Sequence, residues 1–280
     1  MTVTVSLDGP PEVHDKYRLS RKDRSPTFNL IWQNIEAVRV VSSEYVSSRI
    51  GLHATCWDPP DFVKILDFFI SLDDSFALLT LGSVESVGLS EHMLEEHKSQ
   101  FNYIDAYLLY GIRFVQQVIE GKKPNKILTY IYDKPLRKLF YRNASFSPDR
   151  VDLENICLPG EFVLHVDRDG TFYMCERMAG TMPLGNLNDG LDHSLQANSL
   201  QVYAQARNNL CYSCWASRVC QPCVSLAKHP NDGISSEGLH LRCNEFLNSR
   251  LIDIALFAYL MKNDIERRHE LYFNTQIPDT

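Results

Sequence analysis

Residues 211–223 read CYSCWASRVCQPC, which places Cys211, Cys214, Cys220 and Cys223 with two, five and two residues between them. Upstream, Cys157 is followed by twelve residues, Gly170, four more residues and Cys175. Downstream, Cys243 closes a set that takes in seven of the eight cysteines. Disulfides explain this poorly, because a 280-residue chain with no secretory signal has little need of them. Clustered thiols in a reduced compartment point to metal, since thiolate is a soft ligand suited to zinc or to iron–sulfur clusters. The two C-x2-C pairs of one zinc site usually sit about 12–20 residues apart, whereas five residues separate the pairs here. Seven thiols also give one complete four-thiolate site and one site a ligand short. An iron–sulfur cluster tolerates an open iron, while structural zinc sites are closed. The spacing favours iron–sulfur, with zinc as the alternative.

The pattern C-x12-G-x4-C, then C-x2-C-x5-C-x2-C, then a distant cysteine resembles the SPASM domain of radical S-adenosylmethionine (SAM) enzymes. So does the text around Cys175, DRDGTFYMCERMAGTMPLGNLNDG at 167–190. Those enzymes mature peptides and proteins, and the resemblance implies two auxiliary [4Fe–4S] clusters. Carried over position by position, Cys157, Cys175 and Cys223 hold auxiliary cluster I, nearer the radical site. Cys211, Cys214, Cys220 and Cys243 hold auxiliary cluster II, farther from it. The last short spacing in the family is more often three residues than the two found before Cys223. Sulfatase-maturing members carry an extra cysteine soon after their equivalent of Cys157, where this chain has LPGEFV. The fourth iron of cluster I is then open to a substrate thiolate or to a non-cysteine ligand. The resemblance also gives Glu176 as a catalytic base; a surface glutamate paired with Arg168 or Arg177 is the other reading.

At the chain's start, Thr2 to Val5 is β-branched and reads as a strand. SLDGPPEVHDKYR follows, with a turn at Asp8-Gly9-Pro10. This segment resembles the fourth strand and following loop of a radical SAM barrel, and the resemblance places Ser6 on the SAM side. Turn capping by Ser6 and Asp8 accounts for the same residues, and His14 with Asp15 reads as a helix-start or surface pair. The C-x3-C-x2-C motif that holds the SAM-binding cluster occurs nowhere in the sequence, and neither does the family's G-G-E stretch. The chain is therefore not expected to cleave SAM by itself. A late start, a truncation, or a half-enzyme completed by a second chain carrying C-x3-C-x2-C are the three explanations.

The expected fold class is α/β: the back half of a (β/α) radical SAM barrel, then a small cysteine-rich α+β SPASM domain with a β-hairpin and a closing helix. Residues 1–148 form the barrel part with a helical extension, and residues 149–280 the auxiliary-cluster domain. Within the first, Phe28, Ile31, Ile35, Val38 and Val41 recur at helical spacing, SRIGLHATC alternates like a strand, and PPDFVKILDFFISL starts a helix on proline. LDDSFALLTLGSV supplies a third strand, giving β-α-β-α-β. Cys56 reads as a small buried apolar group. Phe101, Ile104, Leu108, Ile112, Val115 and Ile119 form a core-facing stripe thickened by Tyr103, Tyr107 and Tyr110. A further helix spans Lys126 to Tyr141, interrupted or kinked near Pro135. In the second domain, a hairpin turns at Asp169-Gly170, SLQANSLQVYAQARNN is helical, HPNDGISSEG is a flexible linker, and the closing helix begins after Cys243.

A net charge of −7 excludes the basic footprint of a nucleic-acid binder. No run approaches the ~18 apolar residues of a membrane span, and the first residues lack a signal peptide. The expectation is a cytoplasmic protein with a peptide or protein substrate, of which a small ribosomal peptide ranks above a sulfatase. A non-catalytic electron-transfer partner and a zinc-stabilised interaction domain are the readings from other classes.

Overall fold

The computed structural model describes residues 1–56, 59–83, 104–141, 156–220, 222–229 and 233–263. The chain divides into two units, Met1–Phe140 with Ile252–Thr280, and Tyr141–Leu251.

The first unit is built on a three-stranded parallel sheet in the order β1 (Val3–Ser6), β2 (Ile50–Cys56), β3 (Leu78–Ser83). Parallel neighbours require crossovers, and helices provide them: α1 (Pro11–Tyr17), α2 (Phe28–Val41) and α3 (Ser43–Arg49) between β1 and β2, and α4 (Pro59–Ser71) between β2 and β3. Burial alternates along β1 and, from Leu52 to Thr55, along β2, as a half-polar sheet requires. Ile50, Leu52, Ala54 and Leu79 are sealed in the core with Ile65, Leu66 and Phe69 of α4. Each of the large side chains among them contributes about 1.5–3 kcal/mol by leaving water. Phe28 and Trp32 of α2 stack at 5.8 Å; Phe28 meets Phe68 edge-on, and Trp32 meets Phe76 in the same way. The apolar spacing of α2 holds only over its first half: Phe28 and Ile35 are buried, but Val38 and Val41 are exposed.

Helix α5 (Ile104–Ile119) buries a different stripe from the one its leucines and isoleucines predict. Tyr107, Tyr110, Gly111, Phe114, Val115 and Val118 face the core, whereas Leu108 is exposed. The reason lies in the partners available. The Tyr107 hydroxyl donates to Asp253 at 2.9 Å and that of Tyr110 to Asp67 at 2.6 Å, so both rings are buried with their polar ends satisfied. Phe101 and Tyr103 lie outside the described residues. Helix α6 (Lys126–Tyr141) runs through Pro135 without interruption.

The second unit holds an antiparallel sheet in the order β4 (His165–Val166), β5 (Thr171–Tyr173), β6 (Gly185–Asn186), β7 (Gly190–Leu191). The β4–β5 turn places Gly170 at φ +86°, a conformation that favours glycine. Asp192 then caps α7 (His193–Cys211), its carboxylate accepting the N–H groups of Ser194 and Leu195. A small core of Phe172, Tyr173, Met174, Met178, Leu184, Tyr203 and Leu239 lies under these elements. The segment expected as a flexible linker instead carries a two-stranded hairpin, β8 (Lys228–His229) with β9 (Gly233–Ile234). Helix α8 (Ser236–Asn263) starts before Cys243, not after it, so this cysteine is a helical residue.

Candidate functional site

None of the eight cysteines is in a disulfide. Cys211 ends α7, and the turns that follow carry Cys214 and Cys220. Cys223 caps a short 3-10 turn at Val224–Ala227. These side chains act on one another: the thiols of Cys211, Cys220 and Cys214 all push up that of Cys243, after burial itself, which is the larger cause. Burial raises Cys211 as well, against the lowering influence of Arg207, with Cys214 adding to the rise. Cys211, Cys214, Cys220 and Cys243 therefore form one electrostatic group.

Cys175 belongs to a second group. It follows β5 and caps the 3-10 turn Glu176–Met178. Burial raises its thiol, the backbone N–H groups of Arg177 and Met178 oppose that rise, and Glu176 and Cys223 add to it. Ser225 Oγ–H donates to Cys223 Sγ at 3.3 Å. Between the groups stands Tyr203, fully buried, its hydroxyl donating to Pro222 O at 2.5 Å. Burial pushes that phenol well above its usual range, and Cys223, Cys211 and Cys220 all add to the push. Cys157 is exposed in the loop ahead of β4.

Among the described residues, no three His, Cys, Asp or Glu side chains converge closely enough to hold a metal ion as they stand. The donor set nonetheless suits an iron–sulfur cluster in kind and in grouping. It comprises soft thiols outside any disulfide, five half-buried and two (Cys157 and Cys223) exposed, with Cys211, Cys214 and Cys220 all acting on Cys243. Binding requires these thiols to lose their protons and close on the iron.

Glu176 is largely exposed, its side chain 68% accessible, and lies 3.8 Å from Arg177 Nε. This is the surface pairing rather than the sealed setting that tunes a catalytic carboxylate. Ser6 ends β1 and is exposed, in register with His53 of β2. His53 Nδ1 lies 2.8 Å from Thr80 Oγ1, so the sheet face that carries Ser6 continues as polar side chains midway along β2 and β3. Ser6 itself stands at the carboxyl end of its strand, where parallel α/β folds bind ligands. Cys56, at the end of β2, is half-buried. Sequence reasoning missed His53 and Arg207. Alternation along SRIGLHATC put His53 on the side opposite Leu52, and Arg207 stands four residues before Cys211.

Among the described residues, no helix is long and apolar enough to cross a membrane. No protein-family model matches the chain, and no curated protein matches it. Solved structures do. Hexahistidine-tagged anSMEcpe with bound AdoMet is 17% identical, with a TM-score of 0.59 over 93% of this chain and 68% of that one. Native anSMEcpe with bound AdoMet is 16% identical, with a TM-score of 0.59 over 94% and 70%. Native anSMEcpe with bound AdoMet and Kp18Cys peptide is 17% identical, with a TM-score of 0.54 over 89% and 69%. At such identities the likeness speaks to the fold, and the α/β class with a partial barrel is the one expected from the sequence. Over most of its length, this chain shares the α/β fold of the anSMEcpe structures.

Proposed function

We propose that this chain is a radical SAM/SPASM-type maturase component that binds two auxiliary [4Fe–4S] clusters and acts on a peptide or protein substrate. The observation that supports the reading best is the mutual influence of Cys211, Cys214, Cys220 and Cys243, with Cys175 and Cys223 as a second pair. In this assignment the first four hold auxiliary cluster II, and Cys157, Cys175 and Cys223 hold auxiliary cluster I. Such clusters, when bound, supply an electron acceptor or an anchoring iron for the substrate.

The chain's own residues have separate tasks in this reading. The backbone N–H groups of Arg177 and Met178 steady the Cys175 sulfur as a thiolate, and the Ser225 hydroxyl orients the Cys223 sulfur by a hydrogen bond. Ser6 at the end of β1, with His53 and Thr80 beside it on the same sheet face, offers a polar surface to SAM. The sequence lacks C-x3-C-x2-C, so SAM cleavage is assigned to the chain only in company with a polypeptide that carries that motif. A peptide substrate is supported by analogy with anSMEcpe, which has been solved with the Kp18Cys peptide bound. Glu176, exposed beside Arg177, would serve as the base of such a reaction only once substrate or a completing chain covers its carboxylate.

The test is iron, sulfide and zinc per chain after anaerobic purification and reconstitution. About eight iron with matching sulfide supports two four-iron clusters. One or two zinc without sulfide overturns the reading and leaves a zinc-stabilised module.

A further inference from the structure

Arg207 is an unusual residue to find sealed in a small core. It lies one helical turn before Cys211 on α7 and has no solvent exposure. Its Nη2 donates to the carbonyls of Ser217 at 3.4 Å and Cys220 at 3.2 Å. The guanidinium also hydrogen-bonds the Cys211 thiol. One side chain thus ties the start of the cysteine loop to its end. A guanidinium stays charged in proteins, and a buried charge demands compensation by opposite charge or by hydrogen bonds. Metal-bound thiols are anions, and Arg207 sits inside the loop that carries three of the four in this group.

We infer that Arg207 is a positioning residue for the cluster held by Cys211, Cys214, Cys220 and Cys243, and that its buried charge raises the reduction potential of that cluster. The inference rests on the cluster-binding reading above. The physical reason is direct. Reduction adds one electron, taken from an external low-potential donor such as dithionite, and makes the cluster more negative. A fixed cation hydrogen-bonded to a ligand sulfur favours that more negative state, because net charge and hydrogen bonds to sulfur set the potential. The hydrogen bonds of Arg207 fall on Ser217 and Cys220 in the loop of this cluster, so its charge acts on this potential more than on that of the cluster of Cys157, Cys175 and Cys223.

The experiment is an anaerobic redox titration of the reconstituted full chain, followed by electron paramagnetic resonance, for wild type, Arg207→Met and Arg207→Lys. Wild type shows two one-electron waves. Arg207→Met is expected to disfavour reduction in one wave about tenfold, a fall of about 59 mV for one electron, while the other wave stays in place. Arg207→Lys keeps the charge and returns the moved wave to within about threefold of wild type, roughly 30 mV on the same scale. Two waves that stay put, or that move together, overturn the inference, because a merely structural arginine gives one of those results. Should Arg207→Met lose the iron of one cluster, Arg207→Lys decides: iron kept supports the inference, iron lost overturns it. A wild-type chain that binds no iron fails at the earlier step and overturns both readings.

Discussion

The backbone N–H of Asp8 donates to Nδ1 of His14 at 3.1 Å, and this bond fixes the imidazole's proton on Nε2. The Thr27 hydroxyl already donates to Arg18 O, so it accepts from His14 Nε2–H at 3.1 Å. The ring is fully buried against the edge of Phe28. Burial holds its pKa below the usual 6.5; the Asp8 and Asp15 carboxylates oppose that lowering, and Arg18 reinforces it. A cation would need a proton on Nδ1, where the Asp8 N–H now points. The sign follows. The unfolded chain binds a proton near pH 6.5 and the folded chain does so only at lower pH, so stability is fully present above about 6.5 and is lost as pH falls through the lower folded value. Urea midpoints between pH 8 and pH 5 should fall for the wild type and fall less steeply for His14→Gln. Equal slopes would assign the pH dependence to other groups.

Asp8 does more than turn the chain. Its carboxylate is gripped by Nε and Nη2 of Arg18, and its Oδ1 accepts the Thr55 N–H at 2.8 Å. The carboxylate is buried while Arg18 is about a third exposed, so the pair is worth less than the ~3–5 kcal/mol lost when a sealed pair is broken. Asp8→Asn should cost about 2 kcal/mol, in the range for hydrogen bonds to charged groups. Chemical denaturation that shows no change beyond about 0.5 kcal/mol would make the grip a surface ornament.

Much of this arrangement was legible in the sequence. The β-α-β-α-β order, the proline start of α4 and the Asp169-Gly170 turn follow from β-branched runs, helical spacing and turn chemistry, which are local signals. Long-range partners were not. Nothing near Tyr107 announces that Asp253 will receive its hydroxyl 146 residues away. The spacing puts Tyr107, Tyr110 and Val115 on the buried face of α5, but it puts Leu108 there too and omits Phe114 and Val118. His14 and Asp15 read as a surface pair because helix starts commonly carry such residues. In the fold His14 is buried, and Asp15 Oδ1 instead accepts the N–H groups of Thr27 and Phe28 at the start of α2. The cysteine spacing named every thiol of the candidate site, but the cation among them needed three dimensions.

Gly111 marks a close approach between α5 and the later turns of α8. A Cβ built there would stand 2.4 Å from Leu256 Cδ1 and 3.1 Å from Tyr132 Cε1. Both neighbours are sealed in the core, so neither yields freely. Gly111→Ala gains helix propensity worth about 1 kcal/mol, yet overpacking of this kind costs about 1–3 kcal/mol. The contact should win, with a net loss of about 1 kcal/mol in urea unfolding. The double variant Gly111→Ala/Leu256→Ala should recover part of the overpacking cost, because the clashing methyl is gone. A Gly111→Ala chain more stable than wild type would mean that the helices separate at no cost.

The two groups of thiols make different demands on iron content. Cys243 lies on α8, yet its thiol is pushed up by Cys211, Cys220 and Cys214, so it belongs with the cysteine loop despite a separation of twenty residues from Cys223. Cys175 is tied instead to Cys223 and packs against the small core that includes Tyr203. If the assignment of ligands is right, Cys243→Ala and Cys175→Ala each remove about four of about eight iron per chain, and the double variant removes nearly all. If all seven thiols served one interdependent centre, either single variant would already strip the iron completely. Iron and sulfide assays on the reconstituted single and double variants separate these outcomes. Loss of half in each single variant and of the whole in the pair is the expected pattern.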